Sequence, residues 1–215
     1  SWAADDNINS PLTDSDNRNL ARVAQYFSVQ IDNRRDAKKY YLDSLTHYLF
    51  AMAQDSDPEG VEELSKKSKT LPFSAIAHQL GYPKVSDVNH NPLRLLAEMP
   101  LPIYITTSYH DFVEVALSQT GRKKPVSEIF YWDDTLYPIP SIWDREPGYR
   151  PTPERPLVYH LYGLDKYPES LVLTEDDYLD CLERLTMLPY LVNSSNNNSS
   201  DANPQNNKGA LPAPI

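Results

Sequence analysis

Clustered glycine, paired cysteine and paired histidine are all missing from this 215-residue chain. The six glycines, Gly60, Gly81, Gly121, Gly148, Gly163 and Gly209, stand far apart. A loop that cradles phosphates needs glycines close together, so that backbone N–H groups can approach the oxygens. Neither a complete dinucleotide fingerprint nor a P-loop is therefore present. The single cysteine, Cys181, excludes an internal disulfide framework and any multi-cysteine zinc site. His47, His78, His90, His110 and His160 are scattered, with no pair at four-residue helical spacing, so no metal site is expected. No run of about 18 apolar residues marks a transmembrane helix. No basic stretch followed by an apolar one opens the chain as a signal peptide would, and a cytoplasmic location is expected. Cations are in deficit, 20 Lys and Arg against 30 Asp and Glu, for a net charge of −10. That balance argues against nucleic acid or a membrane as partner and otherwise serves solubility.

What the chain does have is proline, 19 residues, and an ordinary apolar content of 40%. Its length suits one domain or most of one, with enough chain for a sizeable core. The first half reads as helical. Leu20, Val23, Ala24, Phe27 and Ile31 recur at three and four. Tyr41, Leu42, Leu45, Tyr48, Leu49 and Met52 form the stripe of a second helix over residues 34–54. Residues 55–60 read as a turn, and Lys66, Lys67 and Lys69 as a solvated face. A short helix over 73–80 is stopped by Gly81, and another over 91–98 has Asn91 as cap and Pro92 at its first position.

The character then changes. Residues 102–107 are β-prone and are followed by helical spacing over 111–117, the half-unit of an α/β fold. Residues 127–132 form a second β-prone run and 157–161 a third. The proline- and aromatic-rich stretch between them, 133–156, reads as a long ordered loop or lid. Thr174 with Asp177 resembles a capping box and opens a helix carrying Tyr178, Leu179, Leu182 and Leu185. Eleven of the fifteen residues over 193–207 are Asn or Ser, so 191–210 is expected to be a disordered insertion.

Two segments carry candidate chemistry. Thr106-Thr107-Ser108-Tyr109-His110-Asp111 lies just past the C-terminal end of a strand, where ligands bind in α/β sheets. The plain alternative is a strand-to-helix turn with Ser108 or Asp111 as a cap. His160-Leu161-Tyr162-Gly163 closes the third strand, with His160 and Tyr162 on one face by alternation. A histidine there suits a general base, or a half-buried imidazole with a satisfied hydrogen bond. A serine nucleophile at Ser108 has no Gly-x-Ser-x-Gly elbow to support it.

On these motifs the chain resembles the sirtuin-like family, in its zinc-less bacterial and fungal branch. The resemblance runs through residues 101–112, the Tyr131-Trp132 pair, residues 158–163 and the gapless block 170–180, and extends to the helical stretch 16–30. It implies a partial Rossmann-like parallel sheet, α/β in class, with a helical N-terminal part. It makes residues 1–190 an internal portion of one domain, 191–210 an insertion, and 211–215 the start of a further part. The family's Gly-rich phosphate loop is then expected before residue 1 and its last strands after residue 215.

The resemblance also implies NAD as substrate or ligand and cleavage of the nicotinamide–ribose bond, in defence or signalling. The family's motif asparagine falls on Ser108, its following aspartate on His110 and its catalytic histidine on Tyr162. Serine lacks the two-ended hydrogen bonding of an amide, and a phenol with an ordinary pKa of about 10 is a poor base at neutral pH. Ser108, His160 and Tyr162 are the expected catalytic positions. Thr106, Thr107, Ser108, His110, Asp111 and Gly163 are the expected nucleotide contacts. The expected partners are NAD or an ADP-ribose-like nucleotide and other domains of a longer chain. Two further readings are a catalytically silent sensor of such a nucleotide and an interaction module that binds none.

Overall fold

Asparagine and aspartate caps set the helical frame in this computed structural model, which describes residues 12–55, 57–84 and 91–197. Asn19 accepts from the N–H groups of Ala21 and Arg22 at 3.1 and 3.3 Å and opens α1, Leu20–Gln30. Asn33 accepts from Asp36 at 3.1 Å and opens α2, Arg34–Ala53. Each cap satisfies a backbone donor that the first helical turn leaves without a partner.

The turn expected over 55–60 is instead the entry to a helix. Asp57 caps α3, Pro58–Lys67, with Pro58 in its first turn. The basic run belongs to this helix, where Lys66 and Lys67 pair with Glu62 and Glu63 one turn earlier. Gly81, at φ +78°, follows α4, Phe73–Gln79, as expected of a helix stop. Asn91 accepts from Leu93 at 3.0 Å and caps α5, Pro92–Glu98.

Two helical faces differ from the expected stripes. In α2 the buried line is Ala37, Lys38, Leu42, Thr46, Leu49 and Ala53, while Tyr48 and Met52 are exposed. Lys38 turns inward because an acidic partner waits there, a long-range fact that apolar spacing cannot carry. The other case is α8, Glu175–Asn197, where Leu179 and Leu182 face solvent and Asp177 and Cys181 are buried.

The α/β half follows. β1 (Ile103–Thr106) leads to α6 (Phe112–Gln119), then β2 (Val126–Ile129), α7 (Ile142–Arg145) and β3 (Leu157–His160). The strands form one parallel sheet in the order β1-β3-β2, with Thr106 and Ile129 both level with His160. All four residues of the central β3 are buried, as a parallel strand covered on both faces requires. Val158 packs with Tyr104 against Ala97 of α5 and Val113, Ala116 and Leu117 of α6. Leu157 and Tyr159 join Phe130, Tyr131, Trp132, Leu136 and Ile142 in the larger cluster. With eight helices among the described residues, this is a partial Rossmann-like α/β arrangement.

β2 ends at Ile129, so Phe130, Tyr131 and Trp132 leave the strand and fill the core from a loop. The proline-rich stretch is ordered, and contributes Leu136, Ile142 and Tyr149 to the same core. The capping box before α8 is present. Asp177 Oδ2 accepts from Leu173 and Thr174 at 3.0 and 2.9 Å, and Thr174 Oγ1 accepts from Asp177 at 3.1 Å. α8 continues through Asn197, seven residues into the Asn- and Ser-rich stretch that composition reads as disordered. The remainder of that stretch, and residues 211–215, lie outside the described residues, as does His90. No helix among the described residues is long and apolar enough to cross a membrane.

Candidate functional site

The two motifs meet because β1 and β3 are adjacent and in register. Leu161 N–H donates to Thr106 O at 2.8 Å, which carries the ladder one residue past the strands. Thr106 Oγ1 accepts from Ser108 N–H at 3.0 Å and tightens the turn after β1. Tyr109 then ties the turn down. Its hydroxyl donates to Val172 O at 2.8 Å, and its carbonyl accepts from Asp165 N–H at 2.7 Å.

A cavity of about 390 Å³ opens at this C-terminal edge. Thr107, Ser108, Tyr109 and His110 line it from the first motif and Tyr162 from the second. The opposite wall comes from Tyr41, Leu42 and Leu45 of α2, Phe73 of α4 and Tyr178 of α8. The aromatic rings brace one another edge-to-face, with Tyr41 and Tyr109 5.8 Å apart and Tyr162 and Tyr178 5.2 Å apart. Burial pushes the phenols of Tyr41, Tyr109 and Tyr178 above the ordinary tyrosine range, so they stay protonated at neutral pH. His110 stacks on Phe112 with ring centroids 3.9 Å apart. Its Nδ1 is buried and hydrogen-bonded to no other side chain. Burial holds its pKa below the ordinary histidine value, against smaller upward pulls from its own backbone carbonyl, Asp111 and Glu114.

Other expected site residues are committed elsewhere. β3 ends at His160, so strand alternation does not extend to Tyr162, and the two side chains take different surroundings. His160 is fully buried, with Nδ1 3.1 Å from Ser108 O and Nε2 2.7 Å from Glu114 Oε1. Burial alone would lower its pKa, but the hydrogen bond and charge of Glu114 outweigh it, and the net direction is upward. Ser127 Oγ donates to the same Glu114 oxygen at 2.7 Å. Both imidazole nitrogens are engaged, so His160 supports the turn from beneath through the Ser108 carbonyl.

Asp111 pairs with His78 Nε2 at 2.8 Å, and its N–H donates to Ser74 Oγ at 3.2 Å. It lines a second cleft of about 460 Å³, with Asp165 and Glu128. Gly163 has φ +86°, and a Cβ there would lie 2.2 Å from Ser170 O. Its requirement is close packing of the second motif on the segment before α8.

Sequence reasoning missed Tyr41, Tyr178, Glu114 and Asp165. The first two reach the cavity from helices distant in sequence, so no local pattern marks them. Glu114 did leave a signal, as a lone charge within the apolar run Phe112-Val113-Glu114-Val115-Ala116-Leu117. A buried charge needs a partner. Asp165 left none. Among the described residues, no group of three or more His, Cys, Asp or Glu is placed to hold a metal.

Residues 102–200 match the family model of the SIR2-like domain. The matched segment contains both motifs, all three strands and α6 to α8. α1 to α5 lie outside it. No curated protein matches the chain.

Proposed function

With a chain that is sirtuin-like over residues 102–200, we propose that the cavity between the two motifs binds the nicotinamide–ribose end of an NAD-type nucleotide and serves cleavage of the bond between them. The observation that carries this reading is convergence: Ser108, His110 and Tyr162, the three positions of the family motifs, line one cavity at the C-terminal edge of a parallel sheet. The lining suits the ligand. Thr107 and Ser108 offer hydroxyls to a ribose, and the tyrosine and phenylalanine rings offer faces to a flat pyridine ring. Among the described residues neither Lys nor Arg lines the cavity, so the phosphates would extend beyond this lining. A volume of about 390 Å³ lies at the small end of the roughly 300–1,000 Å³ of ligand pockets, in keeping with part of a dinucleotide.

The reaction is nicotinamide release by water, with ADP-ribose and a proton as the other products. The C1′–N bond breaks with its electron pair on nicotinamide, and the cation-like ribose that results is what polar groups at the turn would orient. A second reading, silent binding of the same nucleotide, is favoured by one observation. Tyr162 stands where the family has its histidine, and His160 is locked to Glu114. Incubation of the chain with NAD, with nicotinamide and ADP-ribose separated chromatographically, distinguishes the two. Stoichiometric appearance of both products is expected. Intact NAD after prolonged incubation, with binding preserved, would select the silent reading. A role in defence or signalling, and a place among other domains of a longer chain, belong to the same proposal.

A further inference from the structure

One imidazole in the motif cavity is hydrogen-bonded to no other side chain. We propose that His110 is the general base of this site, accepting the proton of the water that attacks the ribose C1′. The inference rests on the cleavage reading above and goes beyond it by relocating the base to a position where the family pattern has an aspartate.

Elimination and geometry both point to His110. Tyr162 carries a phenol, and Tyr41, Tyr109 and Tyr178 are held protonated by burial. His160 has both nitrogens within hydrogen-bond distance of Ser108 O and Glu114. His78 and Asp111 are paired with each other at the second cleft. Among the described residues, His110 combines a place in the cavity, a ring hydrogen-bonded to no other side chain and a plane fixed by stacking on Phe112. The charged or titratable groups that face it are Asp111 and Glu114 at the start of α6 and His160 at the end of β3. The cavity phenols complete its surroundings. Burial keeps the ring neutral near pH 7, and a neutral imidazole has one acceptor nitrogen to offer.

The step balances without an oxidant or reductant. The C1′–N bond breaks and its pair leaves with neutral nicotinamide. The water oxygen bonds to C1′ and its proton passes to His110. That proton returns to solvent, so NAD and water give nicotinamide, ADP-ribose and one proton.

The test measures nicotinamide release against pH from 4.5 to 8.5, with NAD binding followed by calorimetry, for the unaltered chain and for His110→Gln. A positioned general base contributes about 100- to 10,000-fold. A loss of at least about 100-fold in His110→Gln, with the dissociation constant changed less than about threefold, is expected. The unaltered chain should hold its rate through neutrality and lose it on the acid side of the ordinary histidine value. Should His110→Gln fail to fold, that acid limb still decides, because a rate independent of pH overturns the proposal. A variant that keeps its rate overturns it too. NAD bound but never cleaved by the unaltered chain sinks the base and leaves the binding site standing. No binding at all sinks both.

Discussion

His160 and His110 feel each other's charge, yet their surroundings drive them toward opposite protonation states. Glu114 raises the pKa of His160 against its burial, whereas burial lowers that of His110. The consequence for stability can be signed. With a raised folded pKa, the folded state binds more protons than the unfolded chain above about pH 6.5. The His160–Glu114 pair therefore stabilises fully below that value, and its contribution is lost as pH rises through the folded pKa. His110 has the reverse sign: its neutral, buried form favours folding above about pH 6.5 and loses that advantage as pH falls. In Glu114→Gln the upward pull on His160 disappears and burial dominates. Urea midpoints at pH 6 and pH 9 should show the unaltered chain losing more of its margin over Glu114→Gln at the higher pH. An identical gap at both values would contradict the assignment.

At the scale of elements, the join between the N-terminal helices and α8 is polar and specific. Lys38 of α2 is buried, 3.1 Å from Asp177 Oδ1, and lies over the Trp132 ring at 4.8 Å. Its ammonium also donates to Glu169 O at 3.3 Å. Arg34 reaches Asp177 and Asp180 at 3.4 and 3.1 Å, and Arg22 reaches Glu175 at 3.1 Å. Removing one member of a buried pair leaves the other charge uncompensated, at a cost of about 3–5 kcal/mol. Lys38→Met should cost about 3 kcal/mol, the low end, because Arg34 and two backbone N–H groups still serve Asp177. Equilibrium unfolding checks this, and a loss below about 1 kcal/mol would mean that the latch is dispensable.

What the sequence made legible at this scale follows from how local each cause is. Asn91, Pro92, Gly81 and the Thr174–Asp177 box act on their own helix ends, and each appears where expected. The three strands announced themselves by β-branched and aromatic runs. α3 was hidden because its residues 62–67 are nearly all polar, leaving Val61 and Leu64 as its only buried apolar anchors. The faces of α2 and α8 were misjudged because Lys38 and Asp177 are buried for each other, across 139 positions of sequence (177 − 38).

The same logic holds for the whole molecule and its site. Thr107, Ser108, His110 and Tyr162 were readable because two short motifs end adjacent strands. Thr106, Asp111, His160 and Gly163 come from the same motifs, but hydrogen bonding and packing give them to the frame. Only the tertiary arrangement separates the two groups. The aromatic wall from α2, α4 and α8 is likewise a product of assembly, and it turns a strand-end turn into a cavity. That cavity is the proposed seat of an NAD-type nucleotide. The most direct measurement is a calorimetric titration of the chain with NAD, beside Ser108→Trp, whose indole would occupy the cavity. Saturable binding by the unaltered chain and its loss in Ser108→Trp, at similar melting temperatures, is the expected result. Equal binding by both, or no heat with the unaltered chain, would contradict it.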